Sequence, residues 1–360
     1  MNNQNINITA RKSREGTNGI FDHIISVENL LDAWQEFKKG KMKKIDVQDF
    51  HFNLENNIFE LHERLIGKTW RPDKYTAFYI RDPKLRHIHK ATVRDRVFNQ
   101  ALFRVLYSIF DKNFIFDSFS CRKEKGIHKG VLRLEGFLRK DTNNHKNYTF
   151  ALKCDVRKFF DSISHQILFD QVKTKVKDGN ALEVIKLILN SFETNIRKGL
   201  PLGNVTSQLF ANVYLGKLDQ FVKHSLKIKY YVRYCDDFII LNKDRNFLIE
   251  LIPKINSFLQ DELNLKLHPK KVEIRKNTSG VDFLGYVVLP HYRTIRTKTK
   301  KRMMKKIVEA KKQLEKKLIT PDYFQRLLSS YKGILSHCHG YKIEKSIDLQ
   351  SCAQQNLQLI

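Results

Sequence analysis

Lys229-Tyr230-Tyr231-Val232-Arg233-Tyr234-Cys235-Asp236-Asp237-Phe238-Ile239-Ile240-Leu241-Asn242 sets two adjacent carboxylates between two runs rich in aromatic and β-branched residues. Each run reads as a strand, and together they predict a hairpin with Asp236 and Asp237 at its tip. Acidic side chains are depleted in strands, so a doublet here needs a reason. An ordinary polar turn is one reading, because Asp is a common turn residue. The other is a metal-holding tip. Nucleotidyl transfer uses carboxylates to grip two divalent ions about 3.5–4 Å apart, one at the attacking and one at the leaving oxygen.

Working outward, Phe150-Ala-Leu-Lys-Cys-Asp-Val156 is a second apolar strand, and Asp155 lies at its C-terminal end where the chain turns toward a helix. A capping role would account for Asp155 alone. Together with the doublet it supplies a third carboxylate, and three such groups from two strand-rich segments favour a metal site.

Composition points the same way. The 360 residues carry 66 Lys+Arg against 38 Asp+Glu, a formal net charge of +28. Such an imbalance self-repels unless a polyanion shares it, and nucleic acid is the leading partner. An anionic membrane surface is the rival, but no apolar run is long enough to span a bilayer and the N-terminus lacks a signal-peptide layout. The five scattered cysteines form no CxxC pair, which implies reduced thiols and a cytoplasmic location.

Residues 1–20 are polar and expected to be disordered. Helices are expected over Val27–Phe37, Leu54–Leu65, Val97–Phe110, Ser164–Lys175, Leu182–Phe192, Ser207–Phe221 and Arg245–Leu263, from their apolar spacing. Tyr75–Ile80 and Pro83–His89 read as a strand and its return arm. Lys266–Ile274 and Val281–Leu289 read as strands. Arg293–Leu318 reads as one basic helix whose apolar stripe is Met303, Met304, Ile307, Leu314 and Leu318, a docked helix presenting cations outward.

These motifs, in this order, resemble bacterial reverse transcriptases, in particular those of diversity-generating retroelements and group II introns, over roughly residues 28–345. The resemblance implies an α+β right-hand polymerase fold, with fingers over 21–149, a palm with an antiparallel sheet over 150–289 and a basic helical thumb over 290–360. It implies two Mg²⁺ ions, with Mn²⁺ able to substitute, held by Asp155, Asp236, Asp237 and the backbone of Val156. Lys271, in Leu267-His-Pro-Lys-Lys271, is the implied general acid for departing pyrophosphate. Arg81 and Arg86 are implied triphosphate ligands, and Val156, Phe159, Phe160, Leu202 and Gly203 line the nucleotide. Phe160 leaves no room for a 2′-hydroxyl and so favours dNTPs.

Arg122, Gln208 and Tyr234, the primer-grip residues Phe283, Leu284 and Gly285, and Lys300, Arg302, Lys305 and Lys306 of the basic helix are the implied nucleic-acid contacts. Arg94-Asp95-Arg96-Val97 resembles the element opening a fingers helix. The stretch Gly199-Leu-Pro-Leu202-Gly203-Asn-Val-Thr-Ser207-Gln208 departs from the common Gln-Gly-x-x-x-Ser-Pro form, having Leu202 for Gln and Gln208 for Pro. That departure resembles the retroelement enzymes and implies low fidelity. The implied activity is RNA-directed DNA synthesis on a template RNA and DNA primer, aided by a structured noncoding RNA or a small basic accessory protein. No room is expected after the thumb for a ribonuclease H or endonuclease segment. An antiviral defence enzyme using a noncoding RNA is the alternative within the fold, and a catalytically silent RNA-binding scaffold is the alternative outside it.

Overall fold

The computed structural model describes residues 19–81 and 84–352, with side chains through residue 347. The expected N-terminal tail lies outside the described residues except for Gly19 and Ile20, and so does Pro83. The chain divides into two compact units, each assembled from separate stretches of sequence.

The first unit comprises residues up to 109, 169–192 and 201–207. It contains α1 (Ile20–Ile25), α2 (Val27–Lys38), α3 (Ile45–Phe52), α4 (Leu54–Ile66), the hairpin β1 (Thr76–Ile80)–β2 (Arg86–Lys90), and α5 (Val93–Phe110) save its last residue. The helix α9 (Gly179–Asn190) also belongs to it. Ser26 caps α2 through the Asn29 N–H, while Leu30, Ala33, Trp34 and Phe37 form its buried stripe. Ile58, Leu61 and Leu65 do the same for α4. Asp178 caps α9 and also accepts the Phe21 N–H, tying a distant helix to the start of the fold.

The second unit comprises residues 110–168, 193–200 and 208 onward. Its centre is an antiparallel sheet in the order β4-β5-β3-β6, formed by β3 (Phe150–Asp155), β4 (Tyr231–Tyr234), β5 (Asp237–Asn242) and β6 (Glu273–Lys276). Val232, Ile239, Leu241 and Ala151 face the helix α6 (Ile127–Asp141) and meet its Val131, Leu134, Phe137 and Leu138. Because β5 is apolar at every position from Phe238 to Leu241, both of its faces are buried, the pattern of a central strand. The short α7 (Phe159–Ser162) follows β3, and α11 (Arg245–Leu263) follows β5 with Leu248, Leu251, Ile255, Leu259 and Leu263 buried. The helices α8 (His165–Lys173) and α10 (Val205–Gln220) each run from one unit into the other.

A three-stranded sheet of β7 (Val281–Phe283), β8 (Tyr286–Val288) and β9 (Arg293–Ile295) joins the same core. Leu284 and Gly285, at φ of 51° and 92°, make the β7–β8 turn, so the strand-forming stretch Val281–Leu289 folds as a hairpin. Likewise only Glu273–Lys276 of the stretch Lys266–Ile274 is a strand, with Leu267 making an isolated bridge.

The basic helix also needs correction. Arg293–Ile295 pairs with β8, and α12 spans Thr297–Glu315. Met303, Ile307 and Ala310 are its buried stripe, packed with α13 (Pro321–Leu335) and α14 (Tyr341–Cys352) around Phe324, Leu328, Leu335 and Ile347. Leu318 lies past the helix end and is 70% exposed, so it takes no part in that stripe. Its backbone N–H instead closes a turn on the Gln313 carbonyl.

Candidate active site

Three carboxylates meet at one end of the four-stranded sheet. Asp155, the last residue of β3, is the direct cross-strand partner of Asp237, the first residue of β5. Opposed side chains in an antiparallel pair stand about 4.5–5.5 Å apart at Cβ, and like charges placed so are destabilising. Asp236 occupies the tip between β4 and β5, and its carbonyl accepts the Val156 N–H at 3.3 Å. The acidic groups therefore share one patch by strand register.

The tip is held in an unfavourable backbone state. Cys235 has a φ of 57°, left-handed for a residue with a Cβ. Beneath it, Arg233 is fully buried and donates Nη1 to the Cys235 carbonyl at 2.9 Å. The same guanidinium grips Asp219 by two bonds, Nε to Oδ1 at 2.7 Å and Nη2 to Oδ2 at 2.6 Å. Tyr231 donates its hydroxyl to that Asp219 Oδ1, and Asn212 accepts a further Arg233 bond. Arg233 thus fixes the turn from inside, a role its place inside a strand did not announce.

The electrostatics favour a cation. Burial, reinforced by Asp155, pushes the Asp236 carboxyl above the usual carboxylate range. Burial pushes Asp237 up to about 7, with Asp155, Asp236 and Asp282 adding to it and Lys153 opposing. The Asp237 Oδ1 is buried and has no hydrogen-bond partner. A buried carboxylate oxygen left unpaired among like charges is costly unless a cation meets it.

Two lysines partly answer that charge. Lys271 Nζ donates to Asp155 Oδ1 at 2.7 Å. Lys153, two residues before Asp155 and on the same face of β3, lies 3.7 Å from Asp237 Oδ2 and 3.1 Å from Asp282 Oδ1. Arg296 Nη2 also pairs with Asp282, linking this network to the residue that precedes α12. Lys153 and Asp282 were not singled out from sequence, although strand alternation places Lys153 beside Asp155. Among the described residues no group of three or more His, Cys, Asp or Glu side chains closes into a metal cage. The all-oxygen donor set and the orphaned Oδ1 nonetheless fit a hard divalent cation.

The other expected residues fall into three groups. In the second unit, Phe159 is buried and meets the half-buried Phe160 edge-on with ring centroids 5.3 Å apart. The Phe160 carbonyl accepts the Leu200 N–H, and Tyr234 ends β4 opposite Asp237. Gln208 lies exposed on α10. Lys300, Arg302 and Lys305 are exposed on α12 and Lys306 is half-buried.

In the first unit, Arg81 and Arg86 are exposed at the tip of the β1–β2 hairpin. Leu202 accepts the His89 N–H, and a Cβ at Gly203 (φ 115°) would come within 3.5 Å of Ile88.

Two expected contacts are engaged in the fold instead. Arg122 donates to Asp111 and to the Ile115 and Ser118 carbonyls. Phe283 is fully buried in the sheet core, while its neighbour Leu284 remains half-buried at the turn.

Comparison with known proteins gives the class of protein to which this sheet end belongs. The family described as reverse transcriptase (RNA-dependent DNA polymerase) matches residues 80–288, more than half of the chain. The chain belongs to this family and has its right-hand polymerase fold. It is similar to protein YkfC of Escherichia coli, 21% identical over 63% of this chain and 69% of that protein. It is also similar to the group II intron-encoded protein LtrA of Lactococcus lactis, 23% identical over 64% of this chain and 49% of that one. The chain therefore spans about half the length of LtrA. The apo telomerase of Candida tropicalis is a slighter likeness, 13% identical with a TM-score of 0.46 over 64% of this chain and 52% of that one. Among the described residues no helix is long and apolar enough to cross a membrane.

Proposed function

We propose that this chain extends a DNA primer on an RNA template, with Asp155, Asp236 and Asp237 as the catalytic carboxylates. The observation that carries the reading is the register that opposes Asp155 to Asp237 with the Asp237 Oδ1 left unpaired. Mg²⁺ held there would make the primer 3′-hydroxyl more acidic and offset the negative charge on the leaving pyrophosphate. The chain's own residues do the rest. Arg233 holds the tip rigid, and the Val156 backbone lies against it as a further oxygen ligand. Arg81 and Arg86 grip the triphosphate, for which the planar guanidinium suits a bidentate phosphate contact. Lys271 leaves Asp155 to hand its proton to pyrophosphate. Phe160 sits under the sugar, and Leu202 and Gly203 line the nucleotide.

In this reading residues 21–149 form the fingers, 150–289 the palm and 290–360 the thumb. Tyr234, Gln208, Leu284 and Gly285 hold the primer-template. The exposed cations of α12 meet hybrid phosphates without regard to sequence.

Leu202 and Gln208 favour the diversity-generating type with low fidelity, because an aliphatic residue cannot hydrogen-bond near the sugar and template base. Leu202→Gln should lower misincorporation about fivefold, the worth of roughly one hydrogen bond; an unchanged error spectrum refutes this part alone. The whole reading is tested by primer extension on an RNA template with dNTPs and Mg²⁺. Extension should cease with chelator, and Mg²⁺ should raise the thermal midpoint of the wild type but not of Asp236→Asn. Absence of both effects overturns it.

A further inference from the structure

The strands that present the carboxylates also have an opposite end, and its chemistry is reversed. A cleft of about 470 Å³ opens there, lined by Lys140 at the end of α6, Lys227 and Lys229 before β4, Lys243 after β5, and Tyr230. Asn242 lies five residues along β5 from Asp237, about 17 Å at the rise of an antiparallel strand. All of these residues belong to the second unit.

The four lysines are exposed, and among the described residues none is in an ion pair with a carboxylate. Two carboxylates lie nearby, Asp141 in the lining of the cleft and Asp244 next to Lys243, so four ammoniums stand against two carboxylates. Asp141 accepts the Thr149 hydroxyl at 2.5 Å. Asp244 caps α11 through the Asn246 and Phe247 N–H groups. Between the lysines, the half-buried Tyr230 ring lies tilted against Phe137 with centroids 5.3 Å apart, and the Lys229 ammonium stands 5.3 Å from its centroid. Lys223 holds the Lys229 carbonyl, so this lip is braced rather than loose.

We infer that this cleft is a second nucleic-acid site, which takes a single-stranded RNA segment by its phosphates and rests one base on Tyr230. Charge complementarity selects the occupant: four ammoniums outside any ion pair, around one aromatic ring, outweigh the nearby carboxylates and match phosphates flanking a π-face. The segment is RNA held away from the catalytic end, which keeps the polymerase on its RNA while the hybrid moves through the active site. The inference rests on the polymerase reading above and names a partner for a different surface of the same unit.

The test compares the full chain with a Lys140→Gln, Lys227→Gln, Lys229→Gln, Lys243→Gln variant, titrating labelled poly(U) RNA across a range of salt. Each lost phosphate contact should reduce the log–log salt slope by about 0.7, so the slope should fall by about 3. Primer extension on a short RNA–DNA hybrid should be unchanged. The matching Lys→Arg variant should keep the wild-type slope, which separates charge from folding. Tyr230→Leu should weaken poly(U) binding about tenfold while leaving the slope in place.

An unchanged slope in the Gln variant overturns the cleft, even if extension proceeds normally. Equal weakening toward poly-glutamate and poly(U) would overturn it as well, by showing no preference for RNA over another polyanion. Failure of extension in the wild type, with the slope difference intact, would overturn the polymerase reading and leave the cleft standing.

Discussion

Asp219 and Asp237 are both carboxylates enclosed by the second unit, and they differ in what is done with their oxygens. Asp219 receives two bonds from Arg233 and one from Tyr231. Asp237 has an orphaned Oδ1, a lysine no nearer than 3.7 Å, and three other carboxylates as neighbours. The first is a finished structural pair. The second is held in a state the protein alone does not satisfy, which marks it for a cation. Proximity to the carboxylate tip therefore does not separate function from scaffold here, because Arg233 itself touches the tip. Satisfaction does.

Breaking the unsatisfied side should have the largest effect. Asp236→Asn or Asp237→Asn should slow primer extension about a thousandfold or more, since metal-held charge is worth several kcal/mol. The thermal midpoint measured without metal should not fall, because the substitution removes an uncompensated charge. A drop in stability that matched the loss of rate would erase the contrast with Asp219.

Breaking the satisfied side should reverse the pattern. Asp219→Asn strands the buried Arg233 and should cost about 3–5 kcal/mol in urea unfolding. Pairing Asp219→Leu with Arg233→Met should recover most of that stability while leaving the Cys235 carbonyl without its donor. Extension by the double variant should then lag behind its folding, and full recovery of rate would deny Arg233 its hold on the tip.

Smaller effects sharpen the picture. Phe160→Ala should raise ribonucleotide incorporation about tenfold in single-nucleotide extension, the scale of one steric exclusion in a pocket. No gain would remove Phe160 as the sugar gate. Lys153→Met should cost about 1 kcal/mol in unfolding, because its bonds to Asp282 are part-exposed.

Much of this was legible in order along the chain. The doublet, the strand ending in Asp155 and the helix over Arg245–Leu263 follow from local pattern, which short-range periodicity and turn chemistry encode. What failed was also local in origin. Arg293–Ile295 lies in a basic stretch that reads as helix, and only pairing with β8 makes it a strand. Nor does local pattern show that Asp111 and two carbonyls take up donors of Arg122.

The sequence by itself determined the class of chemistry, because three Asp residues in strand-bounded contexts and a charge of +28 are properties of composition and order. Only the tertiary structure decided which charges are spent. Strand register opposes Asp155 to Asp237, burial raises the cost of the Asp237 charge, and distant partners such as Asp219 and Asp282 settle which cations remain. Those pairings join residues from separate strands and helices, so local sequence pattern carries no record of them.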